Sequence, residues 1–304
     1  MTRLILARIV QVATGLLMMT LVIFIVVRLT GDPLQVLLPE EAVPEMYAQA
    51  AARLGLDQPL PVQYGRYLGG IFRGDFGVSH RMSVPTGQLI LERLPATLQL
   101  GIVSLTLTFA IAVPLGVYAA YWRGSVVDGG ARLLAVFGQT VPTFWLGILL
   151  IFTFAVWLRW LPAGGSGDWR HLILPSLTLA LAMMGGITRL TRSSMMEVLS
   201  SDYVTFARMK GVPESKVLWK HSFRNAALPL LTLGGTISAQ VLTGSVVTET
   251  VFSWPGVGQL MVDAVRFRDF PVVQGIVLLF GMMYMTTNLI VDVLYLYLNP
   301  RLRS

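Results

Sequence analysis

Cysteine is absent from the 304 residues, which excludes disulfides, thiolate metal sites and cysteine nucleophiles. Histidine is scarce: His80, His171 and His221 fall in separate segments, without the short spacing of a helical zinc pair. No structural metal is expected. Lysine occurs only at Lys210, Lys216 and Lys220, preceded by Met209, Ser215 and Trp219, so there is no Gly-Lys-Ser/Thr loop to cradle phosphates. An ATP site of that kind is excluded. Charge as a whole is thin, at 13% against 54% hydrophobic residues with mean hydropathy +0.67, a composition that points away from soluble domains and towards a membrane.

What charge there is marks out the chain. The 39 charged residues leave six uncharged stretches of eighteen residues or more: 9–27, 94–122, 133–158, 171–188, 225–248 and 270–291. The next longest, between Glu249 and Asp263, has thirteen. A hydrocarbon core of about 30 Å needs about 20 apolar residues as helix. The expected fold is all-α and polytopic, with six transmembrane helices. The first stretch follows Arg3 and Arg8 like a secretory signal, but its nineteen residues exceed a signal core and Arg28-Leu29-Thr30-Gly31-Asp32 offers no small-residue cleavage site. It is expected to remain as an anchor.

The net charge of +7 is explained by topology rather than by nucleic acid. With the amino terminus inside, the inner segments hold thirteen basic residues: Arg3, Arg8, Arg123, Arg132, seven from Arg189 to Arg224, Arg301 and Arg303. Short outer loops hold Arg159, Arg170, Arg266 and Arg268. The other six, Arg28 to Arg93, share a long outer segment with seven acids, and long loops are translocated largely regardless of charge. Both termini are therefore expected in the cytoplasm. The division is 1–28 as the first transmembrane helix, 29–93 as an extracytoplasmic helical segment, 94–298 as a five-helix domain containing an inner loop at 189–224, and 299–304 as a cytoplasmic tail. Within the outer segment, helices are expected over Pro44–Leu54, stopped by Gly55, over Val62–Phe72 after Pro59 and Pro61, and over Pro85–Leu94, ending before Pro95. Packing over the span ends and a docking surface or lid are both open readings of it.

The spans are not uniformly apolar. The fifth places Gly234 and Ser238, and Gly235 and Ala239, four apart, which admits a closely packed helix. Its Gln240, Thr243 and Thr248, ending at Glu249, together with Gln139 and Thr143 of the third span, are candidates for a translocation path, because polar groups in hydrocarbon need water, cargo or one another. Helix-to-helix hydrogen bonding is the competing reading. Pro114, Pro142 and Pro175 are expected to kink the second, third and fourth spans. Glu249 and Asp292 sit near span ends, where structural roles are favoured. No carboxylate lies inside an uncharged stretch, which argues against an ion-coupled secondary carrier, and the absence there of a nucleophile with a base argues against an intramembrane enzyme.

The largest inner feature runs from Arg189 to Arg224. A helix is expected over Ser193–Lys210, broken by Gly211, with a second beginning at Pro213. Lys216, Lys220 and Arg224 then recur every four residues as a basic stripe, suited equally to anionic lipid headgroups and to a protein. A short helix, a glycine break and a second helix form a projecting knob that fits a rigid socket. If ATP drives transport, the ATPase is another polypeptide.

These segments carry a resemblance through nearly the whole chain. Its motifs are Arg28-Leu29-Thr30-Gly31-Asp32-Pro33, Leu54-Gly55-Leu56-Asp57-Gln58-Pro59, Gly74-Asp75-Phe76-Gly77, Leu94-Pro95-Ala96-Thr97-Leu98 and Pro142-Thr143-Phe144-Trp145-Leu146-Gly147. They continue with Trp160-Leu161-Pro162, Arg189-Leu190-Thr191-Arg192-Ser193-Ser194, Phe252-Ser253-Trp254-Pro255-Gly256-Val257-Gly258 and Arg268-Asp269-Phe270-Pro271-Val272-Val273-Gln274. In this order the sequence resembles the permease subunits of bacterial ATP-binding-cassette importers, in the dipeptide, oligopeptide and nickel branch. The family's cytoplasmic signature falls on Thr205-Phe206-Ala207, Gly211 and Leu228-Pro229, with only the second alanine of the usual triplet kept and Met209 where alanine is common.

The resemblance implies a type I importer permease fold in a bacterial cytoplasmic membrane. It implies a second permease chain, often similar and non-identical, two ATPase subunits that hold ATP and magnesium, and an extracytoplasmic binding protein, with no cofactor in this chain and no nucleic acid. It places coupling to the ATPase at Tyr203, Ala207, Arg208, Lys210, Gly211 and Val212. Short peptides are the cargo it favours, with nickel chelates, glutathione and oligosaccharides as alternatives.

Overall fold

The computed structural model describes residues 2–30, 34 and 42–298. The tail expected at 299–304 and Gly31-Asp32-Pro33 lie outside them. Among the described residues every regular element is helical. In chain order these are α1 (Thr2–Thr30), α2 (Pro44–Leu54), α3 (Leu60–Phe72), α4 (Thr86–Tyr121), α5 (Val126–Thr140), α6 (Thr143–Leu150), α7 (Arg170–Leu199), α8 (Asp202–Met209), α9 (Glu214–Lys216), α10 (Phe223–Gly244), α11 (Val246–Val251), α12 (Val257–Arg266) and α13 (Phe270–Leu298). Two π-helical stretches, Ile151–Trp157 and Val217–Ser222, extend α6 and lead into α10.

Four helices, α1, α4, α7 and α13, are long and apolar enough to cross a membrane alone. α5 with α6 and its π extension are long and apolar enough only as a pair, and that pair is turned through 109° at Val141-Pro142, where proline caps α6 in extended conformation. The kink expected at Pro142 is therefore a full break. The fifth uncharged stretch, 225–248, corresponds to α10, whose 22 residues span about 33 Å at 1.5 Å per residue. Its glycines, threonines and Gln240 leave it less apolar than the others.

The packed centre is α4 against α7, the most extensive helix contact in the chain. Leu100, Ala112, Val117, Ala180, Met184 and Ile187 are buried there. α1 lies at the edge on α13, joined by Arg8 Nε to Asp292 Oδ2 at 3.2 Å, which gives Asp292 the structural role expected for it. α5 and α7 approach most closely at two glycines. A Cβ on Gly138 would stand 2.4 Å from the Leu181 carbonyl oxygen, and one on Gly185 would stand 2.5 Å from that of Ala135. Of the fifth-span glycines, Gly234 faces Phe109 of α4 and Gly235 faces Val291 of α13, so the small residues admit two neighbours.

Two helix boundaries and one loop differ from expectation. α4 does not stop before Pro95 but continues through it and through Pro114 to Tyr121, so the division at 93/94 falls inside one helix. Pro95 removes only the donor that would meet the Leu91 carbonyl, and Leu91 is exposed. α7 runs past Ser193 and Ser194 to Leu199. The break comes instead at Ser200-Ser201, whose hydroxyls donate back to the carbonyls of Glu197 and Val198 and satisfy the open end of the helix. The expected outer loop after the fifth span also folds inward: Phe252, Trp254 and Val257 are buried.

Candidate functional site

The inner knob is α8 and its exit. Ser201 stands in extended conformation before it, and Val204 is fully buried where α8 meets the end of α7 and the π-helical stretch Val217–Ser222. At the other end the Gly211 amide donates to the Arg208 carbonyl at 2.9 Å and the Val212 amide to the Ala207 carbonyl at 3.2 Å. This paired pattern, with Gly211 at φ +74°, is the Schellman closure that glycine permits. Arg208 Nη2 reaches Glu214 Oε1 at 2.7 Å, tying the helix to the segment beyond the turn. That carboxylate holds the Arg208 guanidinium above its ordinary pKa.

Seen from outside, α8 presents Tyr203, Phe206 and Met209, the last two 57% and 78% exposed. Spaced three apart, they form one apolar face on a helix whose other side is anchored. The Tyr203 hydroxyl accepts from Asn225 Nδ2 at 2.8 Å, and Lys210 Nζ lies 4.5 Å above the Phe206 ring. Ala207 and Val212 are half-buried behind this face. Lys216, Lys220 and Arg224 are exposed along the following turns.

The path candidates divide. Gln139 at the end of α5 and Gln240 of α10 line one groove of about 640 Å³, floored by Gly186, Arg189 and Ser193 of α7. A smaller compartment of about 310 Å³ adjoins it through Gln139 and Arg189 and takes in Arg132 and Arg192. Behind it Asp128 is buried, accepting from Arg192 Nε at 2.6 Å and Arg192 Nη2 at 3.0 Å. Thr143 is half-buried beyond the α5–α6 bend and does not line the groove. The Thr243 side chain lies outside the described residues.

Thr248 and Glu249 are corrections to the expected path, because both are buried within this chain. Glu249 Oε1 accepts from Thr97 Oγ1 at 2.9 Å and Ser245 Oγ at 2.8 Å, and Oε2 from the Gln259 amide at 3.0 Å. Thr97 Oγ1 in turn accepts from the Val257 amide at 2.8 Å, and Trp254 Nε1 donates to the Ala96 carbonyl at 2.9 Å. The glycines of the 252–258 motif, Gly256 and Gly258, leave room for this carboxylate. Asp269 does similar work at the start of α13, accepting from the Ser79 hydroxyl and the His80 amide. Sequence spacing did not single out Asp128, Asp269 or the Gly138–Gly185 crossing; the small residues at the crossing were the one visible signal.

Comparison with known proteins agrees with this architecture. Residues 112–304 match the model of the binding-protein-dependent transport system inner membrane component, and residues 1–101 match its N-terminal companion. The chain is 42% identical over 312 residues to a Brucella abortus protein described as a peptide transport system permease, covering 100% of this chain and 99% of that one. It is 43% identical over 300 residues to the glutathione transport system permease protein of Salmonella paratyphi A, covering 98% of each. In fold it is similar to an inward-facing methionine ABC transporter structure, with TM-score 0.56 and 16% identity over 70% of this chain and 97% of that chain. Membership brings ATPase subunits and a binding protein as partners and a multi-pass place in the inner membrane. The chain belongs to the binding-protein-dependent inner-membrane components: it is a permease subunit of an ATP-binding-cassette importer, of the dipeptide and oligopeptide branch, and a transporter subunit rather than an enzyme.

Proposed function

We propose that this chain forms half of the path of a short-peptide importer, paired with a second, similar permease and standing on two ATPases that hold ATP and magnesium. The observation that carries the coupling is α8: one side anchored by Val204, the other an exposed face of Tyr203, Phe206 and Met209, closed by Gly211. An apolar face exposed on an anchored knob fits a partner's socket. A helix held in a groove can transmit displacement in both directions of an ATP-driven cycle. Residues 189–224 and both termini lie on the ATPase side, and 29–93 on the binding-protein side. The peptide reading of the cargo is supported by relatives named for peptides and for glutathione, itself a tripeptide.

The test is Gly211→Val in the reconstituted importer. Nothing lies within 4 Å of a Cβ at Gly211, so the substitution acts through its left-handed backbone, at a cost of roughly 1–2 kcal/mol. The expected outcome is a chain that inserts and assembles while loaded binding protein no longer stimulates ATP hydrolysis. Normal stimulation with normal transport would remove this turn from the coupling route.

A further inference from the structure

Arg189 carries a charge that no acid among the described residues answers. It is exposed on the floor of the groove, and among the described residues no carboxylate pairs with it. Its neighbours are accounted for. Arg192 holds Asp128 through two hydrogen bonds, and Arg132 Nε stands 3.6 Å from the same carboxylate. Two guanidinium groups thus share one acid, which is 1% exposed behind them, and Arg189 is left without one among the described residues.

The surrounding walls add donors and no acid. No Asp or Glu lines either compartment. Thr188, 1% exposed, lines the smaller one with a hydroxyl that has no hydrogen-bond partner. A helical threonine ordinarily donates to the carbonyl four residues back, as Thr191 does to Ile187 at 2.7 Å. An unpaired guanidinium and the Gln139 amide on the groove, with an idle hydroxyl in the compartment that adjoins it, are complementary to a carboxylate, which accepts charge-assisted hydrogen bonds from such donors.

A short peptide bears an amine at one end and a carboxylate at the other, and this wall answers only the second. We propose that the groove of this chain receives the carboxylate end of the cargo, with Arg189 as the group that meets it and the amine left to the facing subunit. The inference rests on the peptide reading of the cargo.

The test uses the nucleotide-free importer assembled with its partner chains. Ser193→Cys places this chain's sole thiol one helical turn from Arg189 on the groove wall, and its labelling by a water-soluble maleimide is timed. Probes are trialanine and trialanine amide, which keeps the amine and lacks the carboxylate. At about twice its dissociation constant, trialanine should slow labelling about threefold, and the amide should not. With each variant compared to itself without peptide, Arg189→Gln should lose the protection and Arg189→Lys should keep most of it. Equal protection by acid and amide, protection that survives Arg189→Gln, or no protection by trialanine overturns the proposal. Uptake of labelled trialanine in the presence of the binding protein separates the two readings. Protection without uptake retires the peptide cargo and keeps the anion site; uptake without protection does the reverse.

Discussion

Glu249 shows how far a residue's role depends on where the chain returns. Its carboxylate gathers two hydroxyls and the Gln259 amide from segments up to 152 positions apart, and it is fully buried. Removing it with Glu249→Ala strands those donors; because the hydroxyls can turn to other acceptors, the expected cost is about 3 kcal/mol. Opening is local to the inward-folded segment, so exchange of the Val257 and Gln259 amide hydrogens should rise on the order of a hundredfold. Glu249→Gln, which keeps an oxygen for Thr97 and Ser245, should raise it much less. Unchanged exchange in Glu249→Ala would show that the segment is held by Phe252 and Trp254 alone. In the sequence this glutamate reads as the polar end of a span, a path candidate for which a structural role is favoured; its burial fits the structural role. Nothing local announces that residues 245–269 fold back, since the contacts that bury it come from Thr97 and from a loop that follows.

Among elements, the α5–α7 crossing sets the groove, because Gln139 and Arg189 lie on either side of it. Gly185→Ala would press a methyl against the Ala135 carbonyl, and overpacking of this kind costs typically 1–3 kcal/mol. The same change at Gly129 or Gly130 of α5, where a Cβ meets nothing within 4 Å, should be neutral or stabilising by up to about 1 kcal/mol from helix propensity. Thermal stability of the purified chain in detergent compares them; a Gly185→Ala variant as stable as Gly130→Ala would mean the crossing is loose. Of the three prolines expected to kink their spans, Pro142 ends a helix outright, whereas α4 and α7 continue through Pro114 and Pro175. Pro95 misled, since its cost depends on whether the freed carbonyl is buried, and burial is tertiary information. The Gly211 stop was readable for the opposite reason: a left-handed helix end is a local requirement. The helix preceding it was expected too long, because Ser200 and Ser201 end α7 by bonding back to its own carbonyls.

For the whole molecule, the distribution of basic residues predicts one orientation. An impermeant thiol reagent should label Gln49→Cys in α2 only from the binding-protein side and Ser215→Cys only from the ATPase side; the reverse would invert the map. The family was legible in the sequence because its motifs sit at turns, caps and buried glycines, positions where few residues serve. The groove was only half legible: Gln139 and Gln240 were readable as polar groups in apolar helices, whereas Arg189 looked like one more inner-surface cation. A photoreactive amino acid at Met209, in the importer reconstituted in liposomes, tests coupling through α8. A covalent adduct with the ATPase subunit, identified by mass spectrometry, is expected, with a yield that changes when ATP is bound. Adducts with lipid or the sister permease alone, in every nucleotide state, would contradict it.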